Sequence, residues 1–208
     1  MKLFKRSRKD HWERVYQKHA PTEVGWYQAY PETSLKLIKN TGVGHDSRII
    51  DVGGGTSKLS EQLLHQGYKE LTVLDISSNS IKKAKSQLGE KSCRINWIES
   101  DVKRYGYKEQ YDVWHDRAVF HFLTKIEDRK GYVNSLDIAL KLNGHLIIGT
   151  FSLEAPLKCS GLPVVRYSPE TLLNELRDNF NLVETLVEDH ATPSGVKQNF
   201  IFCRFIKR

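Results

Sequence analysis

Cysteine is scarce: three in 208 residues, at positions 93, 159 and 203, with no CxxC pair among them. That number and spacing argue against a disulfide framework and a cysteine-built zinc site, and fit a reducing cytoplasm. Long apolar runs are also missing. The clearest, residues 146–148 and 200–203, fall far short of the ~20 residues that a bilayer span requires, so no transmembrane segment is expected. The basic start, MKLFKRSRK, is followed by Asp10, His11 and Glu13 rather than by the apolar stretch of a signal peptide, so secretion is not expected either. A broad excess of positive charge is absent from the body of the chain. The formal charge is +7, but Lys2, Lys5, Arg6, Arg8 and Lys9 supply five of those charges, and 7 − 5 leaves +2 for residues 10–208. A domain that tracks phosphates carries more, so nucleic acid is not an expected partner. Residues 1–9 read as a solvated basic tail, with RNA or an anionic membrane surface as its alternative partners.

What is present is enough to build one core. Hydrophobic residues make up 39% of the chain, and its 14 glycines bring the apolar share to roughly 46%, as in ordinary globular proteins. From residue 47 onward short β-branched runs alternate with helical patterns. Residues 47–53, 71–77, 94–100, 111–117 and 144–151 read as strands. Ile81, Ala84 and Leu88 lie at helical spacing and stop at Gly89, while Tyr132, Leu136, Ala139 and Leu140 form a second stripe that stops at Asn143 and Gly144. Strands alternating with helices predict an α/β fold: a parallel sheet with helices on both faces. The last fifth departs from this. A helix opening at Ser168, Pro169 and Glu170 precedes two strands, 181–190 and 198–206, whose short turn-rich link forces one of them to run antiparallel. The expectation is thus a Rossmann-like, seven-stranded sheet ending in a reversed hairpin. Ahead of it, residues 10–45 read as a helical lid on a single domain spanning 10–208. Trp12 and Tyr16 share a helix face and, with Trp26 and Tyr27, either close over a ligand pocket or simply pack the helix down.

The most informative stretch is Asp51-Val52-Gly53-Gly54-Gly55-Thr56, a glycine turn at the carboxyl end of the first strand. Open α/β sheets bind ligands there, and glycines let the backbone come close to them. Asp75 ends the second strand 20 residues beyond Gly55, where a carboxylate can accept both hydroxyls of a ribose. The third glycine of a dinucleotide fingerprint is replaced by Lys58, and Asp51 beside the turn would repel a pyrophosphate but attract an ammonium group. Asp101, at the end of the third strand, is suited to accept from the exocyclic amine of an adenine. Asp51 and Asp101 have a plainer alternative as caps of turns or helices.

At these residues the chain resembles the class I S-adenosylmethionine-dependent methyltransferases. Asp51 through Gly55 match that family's DxGxG loop, Leu74-Asp75-Ile76-Ser77 its ribose-binding acid, and Asp101-Val102 its adenine-contacting step. Asp116 through Leu123 look like the motif after the fourth strand. The resemblance implies S-adenosylmethionine as cofactor, bound by Asp51, Gly53, Gly54, Gly55, Asp75, Ile76, Asp101, Val102 and Asp116 under an aromatic lid of Trp12, Tyr16 and Trp26. It implies a small-molecule or protein acceptor. Within the family the chain looks most like an uncharacterised bacterial group and, more distantly, like eukaryotic protein-lysine methyltransferases with a DKGTLDAL-like motif. Here Arg117-Ala118 replace the Lys-Gly of that motif and His121 its second acid, so lysine specificity does not carry over. The motifs of DNA amino-methylating and cytosine-C5 enzymes are absent. For an acceptor that arrives protonated, His115, His121 and His190 are candidate bases, with His121 first; each has the alternative of a merely hydrogen-bonded histidine. Two other readings remain: an NAD-dependent oxidoreductase on a similar sheet, and a non-catalytic cofactor-binding module.

Overall fold

The computed structural model describes residues 7–106, 110–176 and 179–208. Five parallel strands come first: β1 (Arg48–Val52), β2 (Glu70–Asp75), β3 (Ile95–Glu99), β4 (Tyr111–Arg117) and β5 (Leu140–Phe151). They are connected through α3 (Leu59–His65), α4 (Ser78–Leu88) and α5 (Ile126–Ala139). A two-residue hairpin, β6 (Lys158–Cys159) with β7 (Leu162–Pro163), and α6 (Pro169–Leu176) lead to β8 (Phe180–Ala191) and β9 (Lys197–Lys207). The sheet order is β3-β2-β1-β4-β5-β9-β8, with β9 antiparallel to both its neighbours. The reversed strand is therefore the apolar one, inserted between β5 and the edge strand.

Neighbouring residues on each central strand point to opposite faces, and both faces are covered. Ile50, Trp114, Ile148 and Ile201 join Tyr132 and Leu136 of α5 and Leu172 of α6 in one core. Ile49, Val113, Ile147 and Phe202 join α3 and α2 (Glu32–Lys39) in the other, through Leu63, Leu37 and Ile38. This two-sided burial explains why these strands read as near-continuous apolar runs. Among the described residues no helix is long and apolar enough to cross a membrane.

Two boundaries differ from the sequence reading. The first helix, α1, spans Arg8–Lys18, with Ser7 and Asp10 forming a reciprocal capping box. Arg8 pairs with Asp128 at 3.0 Å and Lys9 with Glu99, so these two cations belong to the folded domain rather than to a solvated tail; residues 1–6 lie outside the described residues. Asn143 and Gly144 do not stop α5. The helix passes directly into β5 at Leu140, and Asn143, at φ +61°, sits where the β4–β5 pairing slips register. The left-handed asparagine is used for an irregularity within the strand.

Candidate active site

The order of strands reverses between β1 and β4, and the turns leaving those two strands face each other there. Gly53 has φ +69°, and a Cβ on it would lie 2.1 Å from Cγ2 of Val119; a Cβ on Gly54 would lie 2.3 Å from Oδ2 of Asp51. Both glycines are required by contact, Gly53 by its backbone as well. Across from them Ala118 is left-handed, at φ +69°, and its N–H is held by Gly149 O at 2.9 Å. A non-glycine residue in that region carries strain that the surrounding fold must hold in place, here at the mouth of the site.

A cleft of about 710 Å³ opens between these turns and α1. Its floor and walls include Gly53, Asp75, Ile76, Asp101 and Val102, together with Trp12, Tyr16 and Trp26. Asp75 and Asp101 therefore meet the predicted aromatics at one cavity. The aromatics pack edge-on: Trp12 lies 5.5 Å from Trp26 and 5.0 Å from Phe122, and Tyr16 lies 5.8 Å from Trp26. They line the cleft and hold the helix down at once, so the two readings of them coincide. Tyr16 is fully buried, with hydrogen bonds to Thr56 and Trp26, and burial followed by the nearby Asp75 pushes its hydroxyl well above the usual range. Asp75 is 4% exposed, and its Oδ1 accepts from Ser77 N–H at 2.8 Å. Burial raises its pKa to about 7 against the pull of Ser77 and Ser80, with Asp51 and Glu13 adding to the rise. An acid so costly to ionise is completed by a ligand bearing hydroxyl donors. Asp101 is partly occupied: Oδ1 accepts from Lys103 N–H at 3.1 Å, and Oδ2 lies 3.5 Å from Lys103 Nζ.

A second cavity, of about 460 Å³, lies on the other side of the glycine turn, between Asp51, Gly54, Lys58, His115, Tyr27 and Gln28; Gly53, Trp26 and Arg117 border both cavities. Asp51 is 4% exposed. Its Oδ1 pairs with His115 Nδ1 at 2.7 Å, while Oδ2 is buried without a hydrogen-bond partner among the described residues. An unpaired carboxylate oxygen beside the turn fits a ligand ammonium and opposes a pyrophosphate. The residues present thus fit S-adenosylmethionine: Asp75 for the ribose hydroxyls, Asp51 for the amino group, and Ile76, Asp101 and Val102 along the cleft.

Four predicted residues, Gly55, Asp116, His121 and His190, line neither cavity. Asp116 is fully buried and accepts from Tyr132 Oη at 2.7 Å and from Val119 N–H at 2.9 Å, so it braces the turn after β4 instead of lining the cavity. Burial raises its pKa to about 6 against those donors. His121 lies in a 3-10 turn, Phe120–Phe122, that rotates its ring into the core against Phe151 and Phe122. Its Nδ1 accepts from Phe151 N–H at 3.3 Å, and burial, aided by Arg117, lowers its pKa to about 3. The ring faces neither cavity, and a pKa of about 3 makes it too weak a base to take a proton from an acceptor in the cleft. His190 donates through Nε2 to Gly25 O at 2.8 Å, tying the lid segment to β8. Two site residues escaped the sequence reading. Glu13 accepts from Ser78 N–H at 2.8 Å, Asn79 N–H at 3.1 Å and Ser77 Oγ at 2.9 Å, so α1 caps α4 next to Asp75. Burial pushes Glu13 up, but these donors outweigh it and hold it below the usual glutamate range. Arg117 donates to Trp26 O at 2.9 Å and lies 4.8 Å above the Phe200 ring. Glu13 is an unremarked acid in a helix, with partners 64 to 66 positions away, and only the capping preference of Ser77 hinted at a helix start there.

Residues 49–144 match the family model described as a methyltransferase domain. Among known proteins, a malonyl-[acyl-carrier protein] O-methyltransferase of Ilyobacter polytropus is 33% identical over 104 residues, which cover 50% of this chain and 39% of that protein. The chain thus spans well under half the length of that relative. Human EEF1A lysine methyltransferase 2 is 23% identical over 195 residues, covering 86% of this chain and 76% of that protein. Among solved structures, the N-methyltransferase NodS of Bradyrhizobium japonicum, in complex with S-adenosyl-L-homocysteine, superposes with a TM-score of 0.71 at 18% identity, covering 95% and 99% of the two chains. Sheet order, reversed β9, the glycine turn with its acids and these likenesses agree: over residues 49–144 the chain is similar to a methyltransferase domain, and its fold is that of the superposed N-methyltransferase.

Proposed function

We propose that this chain transfers a methyl group from S-adenosylmethionine to a small molecule or a protein side chain. The observation that carries the reading is the pair of buried acids: Asp75 in the cleft wall and Asp51, with Oδ2 unpaired, bordering the second cavity behind the glycine turn. A ribose and an ammonium group on one ligand satisfy both. An NAD-dependent oxidoreductase would place a pyrophosphate at Asp51, where the buried carboxylate opposes it; a non-catalytic module would bind the same cofactor but release no S-adenosylhomocysteine with any acceptor.

The bound cofactor supplies a sulfonium whose methyl group leaves by in-line displacement; the chain's own residues orient and shield. Asp75 fixes the ribose, Trp12, Tyr16 and Trp26 exclude water, and Ala118 and Val119 form the opposite wall. Among the described residues no histidine lines the cleft, which favours an acceptor atom that arrives unprotonated or sheds its proton to water. The exposed free thiol of Cys93 and the unpaired, buried Cys159 and Cys203 suit a reducing cytoplasm. Arg8 and Lys9 are paired with Asp128 and Glu99, which offsets their charge at the surface, in keeping with a partner other than nucleic acid.

The test is calorimetric titration with S-adenosylmethionine, S-adenosylhomocysteine and NADH in parallel. Micromolar binding of the first two and none of the third is expected. Binding of NADH alone would overturn the reading.

A further inference from the structure

The buried histidine of β4 is not idle. Ser34, His115 and Asp51 form a continuous chain from α2 to the glycine turn: Ser34 Oγ to His115 Nε2 at 2.9 Å, then His115 Nδ1 to Asp51 Oδ1 at 2.7 Å. All three are buried, at 1%, 2% and 4% exposure. His115 and Asp51 are paired in register on adjacent strands, so the imidazole stands beside the carboxylate on one face of the sheet. With Nδ1–H donating to the carboxylate, Nε2 is left to accept from the Ser34 hydroxyl, and both ring nitrogens of a neutral imidazole are satisfied. The carboxylate then has one oxygen fixed and the other, Oδ2, without a hydrogen-bond partner among the described residues. Gly54 packs against that second oxygen, so the carboxylate can neither rotate freely nor be approached by a larger residue from that side.

We infer that His115 is a positioning residue: backed by Ser34, it locks the orientation of Asp51 so that Oδ2 meets the amino group at the methionine end of the cofactor. It touches no reacting atom. This rests on the methyltransferase reading above and deepens it, because it separates how the chain holds the amino-acid end of its ligand from how it holds the nucleoside end. Asp75, which faces the ribose in this reading, is held by Ser77 and Ser80 and takes no part in this chain of hydrogen bonds. Loss of the lock should therefore weaken one end of the ligand only.

Two probes make the separation measurable: S-adenosylhomocysteine, which carries the amino-acid end, and 5′-methylthioadenosine, which keeps the nucleoside and thioether but lacks it. His115→Leu should lower S-adenosylhomocysteine affinity roughly tenfold or more, since a hydrogen bond to a charged group is at stake, and alter 5′-methylthioadenosine affinity by less than about twofold. His115→Asn, whose side-chain amide can donate to Oδ1, should recover most of the loss. If His115→Leu does not fold, Ser34→Ala gives the milder test: the lock loses its backing, and a loss of about two- to fivefold is expected for S-adenosylhomocysteine alone. Equal losses for both probes would mean that His115 only supports the fold, and unchanged affinity for both would mean that Asp51 needs no lock; either overturns the inference. Failure of the wild-type protein to bind either probe would instead overturn the proposed function.

Discussion

Asp75 should weaken the protein that it makes functional. Burial lifts its pKa from 3.8 to about 7 in the ligand-free chain. An acid raised in this way binds its proton more tightly folded than unfolded. Its stability contribution is therefore full below the ordinary value and is lost as the pH rises through about 7. The difference of roughly 3 pK units corresponds to about 4 kcal/mol at pH 8 as a ceiling, and to about half of that where water in the open cleft solvates the charge. Asp75→Asn keeps the shape and an acceptor for Ser77 N–H but cannot ionise. Urea unfolding without ligand should show the variant more stable than wild type at pH 8, with the difference shrinking towards pH 4. Calorimetry should show its S-adenosylhomocysteine affinity down roughly 10- to 100-fold, because a charged acceptor of two hydroxyls is gone. Wild-type affinity should itself fall as the pH drops through about 7. A variant less stable than wild type at pH 8, or one that keeps full affinity, would refute the reasoning.

Other outcomes follow from the same geometry. Trp12→Ala removes ring contacts at 5.0 and 5.5 Å and part of the cleft wall; it should cost about 2–3 kcal/mol in denaturant unfolding and also weaken S-adenosylhomocysteine binding, whereas unchanged binding would reduce the aromatic cluster to packing. Gly54→Ala drives a methyl group into Asp51 Oδ2 and should break the Asp51–His115 pair, with about 1–3 kcal/mol lost in thermal unfolding and a marked drop in affinity; a variant that binds normally would show the turn to be looser than described. The imidazole resonances of His121 should not move between about pH 5 and 9, because its pKa of about 3 lies outside that window, and a midpoint near 6.5 would return the ring to the candidate bases.

The fold was legible wherever periodicity and punctuation agree. All five early strands fall within a few residues of their predicted positions, and the reversal of one of the last two strands followed from a link too short for a parallel crossover. Legibility failed where one signal serves two purposes. Asn143 and Gly144 carry a helix-stop signature, yet Leu140 already turns the chain into β5 and the pair is spent on an irregularity within that strand. The β6–β7 hairpin is too short to show alternation. In the site, the placement of Asp51, Asp75 and the glycine turn near one another followed from local spacing. His121 was misplaced because proximity to Asp116 in sequence says nothing of the 3-10 turn that swings it inward. Glu13 was invisible because its partners are set by tertiary packing alone.

That remote cap also makes α4 a witness to the state of α1. The amides of Ser78 and Asn79 both donate to the Glu13 carboxylate, which arrives from another helix. Their hydrogen exchange requires the Glu13 carboxylate to leave, and lifting of α1, which removes it, also uncovers Trp12 and Tyr16 in the cleft wall. The two backbone amides thus respond, without any label, to the docking of α1 over the cleft, and cofactor binding should slow them together.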